Sequence, residues 1–171
     1  MAVLTIIGVF FCYGTVAHAS EDGLTVVSAG NRVIVELSED EMLEMSLEMS
    51  QNINGETVSE PMVSNTSYTP YRYSESFNFY YEGDWVARAD AECVVWHYTD
   101  GKVHLYSRSI QLTKLVTIGG ARIYGSIVNT DGSYSYTTGD TVYLYLDEGT
   151  WAYVIDFYVD ATEGYFNCYQ P

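Results

Sequence analysis

AECVVWHYTDGKVHLYSRSIQL, residues 91–112, is the stretch on which the reading of the fold turns. Two runs of β-branched and aromatic residues flank Asp100-Gly101, the strongest short-range hairpin signal a sequence carries. A two-residue turn there predicts the pairs Tyr98–Val103, His97–His104, Trp96–Leu105 and Cys93–Arg108. The same grammar continues downstream. Asp131-Gly132 is expected to join ARIYGSIVNT to SYSYTT, Gly139-Asp140 to start a strand TVYLYL, and Glu148-Gly149 to turn it into TWAYVIDFYV. With Glu148 and Gly149 at the tip, Leu146 faces Trp151, Leu144 faces Tyr153 and Val142 faces Ile155, all on the core side. Tyr143 and Tyr145 then fall on the other side, opposite Val154 and Ala152.

Two further runs, 71–81 and 165–169, bring the total to about seven or eight strands in roughly a hundred residues. The expected fold is therefore all-β, an antiparallel β-sandwich of immunoglobulin-like proportions over residues 70–171. A small closed barrel is the competing architecture. Sixteen of the seventeen tyrosines lie between Tyr68 and Pro171.

Upstream, LTVVSAGNRVIVEL (24–37) reads as a short hairpin around Gly30-Asn31. Ser38-Glu39-Asp40-Glu41 matches a capping box, a serine N-cap with a glutamate three residues on. The amphipathic helix it opens, 39–50, sets Met42, Met45 and Met49 on one edge with Leu43 and Leu47 beside them. Glu41, Glu44 and Glu48 take the opposite face. Hairpin and helix make an N-terminal unit, 20–50, and the polar, aperiodic stretch 51–69 reads as a linker.

Residues 1–19 have the pattern of a signal peptide. An apolar run from Ala2 to Tyr13 is followed by the small-x-small site Ala17-His18-Ala19. No Lys or Arg precedes the run. An uncleaved anchor is the alternative, since about 18 apolar residues can just span a bilayer. Export leaves Cys93 and Cys168, expected to pair in a disulfide closing a loop of about 75 residues; two buried thiols are the alternative.

Against 23 acidic residues stand 7 basic ones, a net charge of −16. Such a field repels phosphate backbones and anionic lipid heads, which argues against nucleic acid or membrane surfaces as partners. No motif argues for catalysis or a cofactor. His97 and His104 form at most half of a metal site. The pairs Asp90/Glu92 and Asp156/Asp160 read as solvated surface, and the Asn129-x-Asp131-Gly132 fragment lacks the terminal glutamate of a calcium loop.

Aromatics remain. Trp85, Trp96 and Trp151 join the tyrosines, more rings than a core of this size can enclose, and tyrosine suits recognition surfaces. The expected function is non-catalytic: a secreted or cell-surface binding or adhesion module recognising a glycan or protein, with Tyr143, Tyr145, Trp96 and Tyr98 as the ligand-binding residues. The alternative is an interaction protein whose Met-striped helix docks a partner or acts as a pro-segment. Acidic, tyrosine-rich and lysine-poor, the chain is similar in style to small exported proteins of Gram-positive bacteria, which sets the expected location.

Overall fold

A computed structural model describes residues 17–19, 23–52, 67–114, 121–124, 133–146 and 149–171. In chain order the elements are β1 (Ala17–Ala19), β2 (Leu24–Ser28), β3 (Val33–Glu36), α1 (Glu39–Asn52), β4 (Tyr68–Tyr81), β5 (Asp84–Tyr98), β6 (Val103–Lys114), β7 (Ala121–Tyr124), β8 (Ser135–Leu146), β9 (Gly149–Asp160) and β10 (Gly164–Tyr169). They build two antiparallel sheets in a sandwich-like, all-β fold with one helix, and not a closed barrel. One sheet runs β1-β2-β4-β5-β6 with β3 also on β4; the other runs β10-β9-β8-β7.

Period-two alternation explains the core. On β5, Ala87, Ala89, Ala91, Cys93 and Val95 point inward, and on β9 so do Trp151, Tyr153, Ile155, Phe157 and Val159. The alanines of β5 leave room for large neighbours on β4, with Ala89 opposite Phe77 and Ala87 opposite Phe79. Rings then lock across the gap between the sheets: Tyr73 to Phe157 (5.4 Å), Phe79 to Tyr153 (5.2 Å) and Tyr81 to Trp151 (5.5 Å). Each such tilted or edge-on pair adds about 0.5–1.5 kcal/mol beyond the area it buries.

Residues 24–37 do not form the expected hairpin. β2 and β3 lie end to end along one edge of β4, Leu24 opposite Tyr81 and Val33 opposite Ser74. A hairpin folded on itself would bury nothing, whereas the fourteen-residue β4 has length for both arms and buries Leu24 and Val26. Gly30-Asn31 belongs to a wide bulge instead, four residues against Glu75 and Ser76. It is pinned by Ala29 N–H to Ser76 O (2.8 Å), Ser28 Oγ to Glu75 Oε1 (2.7 Å) and Arg32 Nε to Glu75 Oε2 (3.0 Å).

Two predicted registers move. At Asp100-Gly101 the loop takes three residues, with Tyr98 N–H donating to Lys102 O (2.9 Å) and Gly101 at φ 86°. That is a type I turn closed by a left-handed glycine. His97 therefore faces Val103 and Trp96 faces His104; a bulge at Tyr106 then restores the expected Cys93–Arg108 pair. The one-residue slip puts the two histidines on opposite faces of the sheet. In the β8–β9 hairpin Leu146 faces Gly149, Leu144 faces Trp151 and Val142 faces Tyr153. This differs from expectation by two residues, an even shift that keeps Val142, Leu144, Trp151, Tyr153 and Ile155 on the core side. Gly139-Asp140 does not start a strand but lies inside β8, and the Asp131-Gly132 turn falls outside the described residues.

The expected disulfide is absent: Cys93 and Cys168 are free, buried thiols. They sit on different sheets, Cys93 opposite Tyr73 and Cys168 opposite Ile155. A bridge needs Cα atoms within about 7 Å, and aromatic rings fill the layer between these sheets. The capping box does form, Ser38 N–H donating to Glu41 Oε2 (2.8 Å) and Glu41 N–H to Ser38 Oγ (3.3 Å). Along α1, Met45 accepts from Arg72 through its sulfur (3.3 Å), while Leu43 is 61% exposed. Ala17-His18-Ala19 pairs with β2, and the apolar run before it lies outside the described residues. Among the described residues no helix is long and apolar enough to cross a membrane.

Candidate functional site

On β5 the inward positions 95 and 97 force Trp96 and Tyr98 onto the outer face of the six-stranded sheet. Trp96 is nevertheless only 3% exposed, and it stands outside the inter-sheet core cluster. Its cover is other aromatic rings. Tyr68 stacks on it at 4.5 Å and 18°, Tyr106 at 4.9 Å and 22°, and His104 at 5.2 Å and 28°. Tyr98 meets the Tyr68 ring edge-on at 5.9 Å.

Register builds this stack. Tyr68 opposes Tyr98, Pro70 opposes Trp96, and His104 opposes Trp96 from the other side. Tyr106 is the unpaired residue of the β6 bulge, which turns its ring onto the same face as His104. Tyr68, at 44% exposure, is the ring most open to solvent. Burial pushes the Tyr98 and Tyr106 phenols above their ordinary range, with a smaller push on Tyr98 from Tyr68 and Asp100. Both hydroxyls are neutral at pH 7. The Trp96 indole N–H is buried with no hydrogen-bond partner among the described residues. An unmet donor of this kind costs about 1–3 kcal/mol.

The four residues expected to form one site do not come together. Trp96 and Tyr98 share the stack. Tyr143 and Tyr145, half-buried opposite Ala152 and Thr150, lie on the outer face of the other sheet, across the sandwich. Sequence reasoning missed Tyr68, which it placed at the end of the linker, and His104 and Tyr106, whose positions depend on the bulge.

Other candidates resolve into structural roles. His97 is half-buried and hydrogen-bonded through Nε2 to Tyr73 Oη (2.9 Å), and burial lowers its pKa, which favours the neutral ring. Asp90 accepts from Ser76 Oγ (2.5 Å) and Arg88 Nε (2.7 Å), and Glu92 lies 3.7 Å from Arg72. Asp156 accepts from Tyr169 Oη (2.9 Å), and Asp160 from Tyr158 and the Thr162–Glu163 turn. No group of three metal-ligating side chains occurs among the described residues. Between β6 and β8 a narrow cleft lined by Glu92, Cys93, Arg108 and Asp140 has room for about one water.

Compared with known proteins, the chain matches no family profile, no curated protein and no solved structure.

Proposed function

We propose that this chain is an exported, non-catalytic binding module that holds a glycan or protein ligand on the aromatic face made by Tyr68, Trp96, Tyr98 and Tyr106. The observation behind this reading is the Tyr68–Trp96 stack, a preorganised ring surface on the outside of a sheet. Flat rings held by neighbours present apolar area to a sugar face or a side chain with little entropy left to lose. Neutral phenols at its rim offer donors and acceptors, and the net charge of −16 favours neutral or basic ligands over anionic ones. The leader pattern of residues 1–19 supports export to the cell surface or medium.

A glycan array probed with the purified protein, followed by alanine substitution, tests it. Tyr68→Ala should reduce affinity at least tenfold, about 1.4 kcal/mol, while Tyr143→Ala and Tyr145→Ala leave it unchanged. The reverse pattern would move the site to the other sheet. A second reading attaches to α1: the Met45–Arg72 contact sets the helix against the same outer face, where it could mask the patch until removed. Met45→Pro, which breaks α1 and leaves β2 and β3 in the sheet, should raise ligand affinity under that reading.

A further inference from the structure

β3 has one partner where a strand can have two. Among the described residues only β4 pairs with it. Its side chains are exposed throughout, Val33 at 46%, Ile34 at 48% and Val35 at 42%. The ladder shows where the backbone groups point. Leu37 N–H donates to Pro70 O (2.9 Å), and hydrogen-bonded pairs alternate along an antiparallel ladder. Val33 and Val35 therefore turn their amide and carbonyl towards β4, and Ile34 and Glu36 turn theirs out of the sheet.

The sequence along this edge, Arg32-Val33-Ile34-Val35-Glu36, is its own antiparallel complement. Laid against a second copy about a two-fold axis through Ile34, each Val33 meets a Val35 and each Arg32 meets a Glu36. Ile34–Ile34 and Arg32–Glu36 are then the pairs that exchange backbone hydrogen bonds, in step with the outward groups. A one-residue slip puts those groups out of step, and a two-residue slip leaves the charges opposite Gly30 or Ser38. Arg32 is already held at the edge by Glu75 Oε2 (3.0 Å). Opposite charges directly across a strand pair favour pairing, and like charges oppose it.

We propose that β3 is a homotypic docking edge through which two copies of this chain join their six-stranded sheets antiparallel, in the single register that pairs Arg32 with Glu36. The contact is short, and each copy carries a net charge of −16, so the pairing is weak and opposed at long range. Salt screens that repulsion beyond a Debye length of about 8 Å at physiological ionic strength. Association therefore strengthens on going from low to moderate salt.

Sedimentation of the purified chain from about 10 µM to 1 mM, the range for so small an interface, tests this at low and moderate salt. The average mass should climb towards that of a dimer, further at moderate salt. Ile34→Pro removes only an outward N–H, and Glu36→Lys sets like charges face to face. Each should weaken association at least tenfold with an unchanged circular dichroism spectrum. Should Ile34→Pro fail to fold, Glu36→Lys, an exposed side chain, carries the test alone. A chain that stays monomeric throughout, or a dimer indifferent to Glu36→Lys, overturns the proposal.

Discussion

Arg108 on β6 and Asp140 on β8 form an ion pair that ties the two sheets together, Nη2 to Oδ1 at 2.9 Å with both side chains under a tenth exposed. Arg108 also donates to Thr138 Oγ1 and, at 3.3 Å, to Gly139 O. Breaking such a buried pair from one side strands the other charge and costs about 3–5 kcal/mol. Asp140→Ala should therefore lower the unfolding free energy by that amount in urea melts at pH 7. Replacing both partners by apolar residues should cost much less.

The pH dependence of this pair has an unusual sign. Burial raises the Asp140 pKa, and Arg108 only partly pulls it back. A carboxyl whose folded pKa lies above its unfolded value of about 3.9 contributes most stability when protonated and loses it as pH rises through the folded pKa. The stability of wild type relative to Asp140→Asn should thus increase as pH falls from 7 towards 4. A relative stability that falls with pH would mean that Arg108 outweighs the burial.

Asp160 should behave in the opposite way. Its carboxylate caps the β9–β10 turn, accepting from Thr162 Oγ1 and N–H (2.7 Å each) and Glu163 N–H (3.0 Å), with Tyr158 Oη at 2.9 Å. The Thr162 bonds lead in driving its pKa far below the ordinary range. That contribution is present above the unfolded pKa of about 3.9 and is lost as pH falls towards the folded one. Asp160→Ala should lower the melting temperature at pH 7, and the deficit should shrink as the solution is acidified from about pH 4 downwards.

Gly139 sits mid-strand in β8, directly opposite Asp156. A Cβ there would collide with the Asp156 carboxylate, which Tyr169 holds by a 2.9 Å hydrogen bond. Gly139→Ala should cost about 0.5–1.5 kcal/mol, the worth of the Tyr169 hydrogen bond that the Asp156 carboxylate gives up when it moves aside. Asp156→Ala in the same chain should recover most of it. A double-mutant cycle of chemical melts reads the coupling directly.

These sites show where the sequence was legible. Alternation alone places Val142, Leu144, Trp151, Tyr153 and Ile155 in the core, because a two-residue register error does not change a side chain's face. The His97–His104 pair fails because a one-residue difference in turn length does change it, and Asp-Gly fits loops of two or three residues alike. Gly139-Asp140 looks like a turn, and only the tertiary partners Asp156 and Arg108 show why a glycine and an acid belong mid-strand. The β2–β3 bulge was equally hidden, since no local signal tells a Gly-Asn hairpin from a Gly-Asn bulge on a third strand.

Cys93 and Cys168 should be chemically silent in the folded chain. Burial pushes both thiols well above their ordinary pKa, which removes the reactive thiolate. A thiol reagent should label neither in the native state and both in denaturant. Reductant should leave the melting temperature unchanged, because no cross-link is there to lose.

The Trp96 indole N–H, which has no acceptor among the described residues, separates stability from recognition. Trp96→Ala empties the centre of the ring stack and should cost about 3–5 kcal/mol. Trp96→Phe keeps a ring against Tyr68, Tyr106 and His104 while deleting the buried N–H that finds no acceptor among the described residues. The lost contact area and the relieved donor oppose each other, so Trp96→Phe should shift stability by less than about 1 kcal/mol. Because Trp96 is buried beneath the exposed Tyr68 ring and supports it, Trp96→Phe should leave ligand affinity within about threefold, whereas Tyr68→Ala should lower it at least tenfold. A tenfold loss in Trp96→Phe with the fold intact would instead place the ligand on the indole itself.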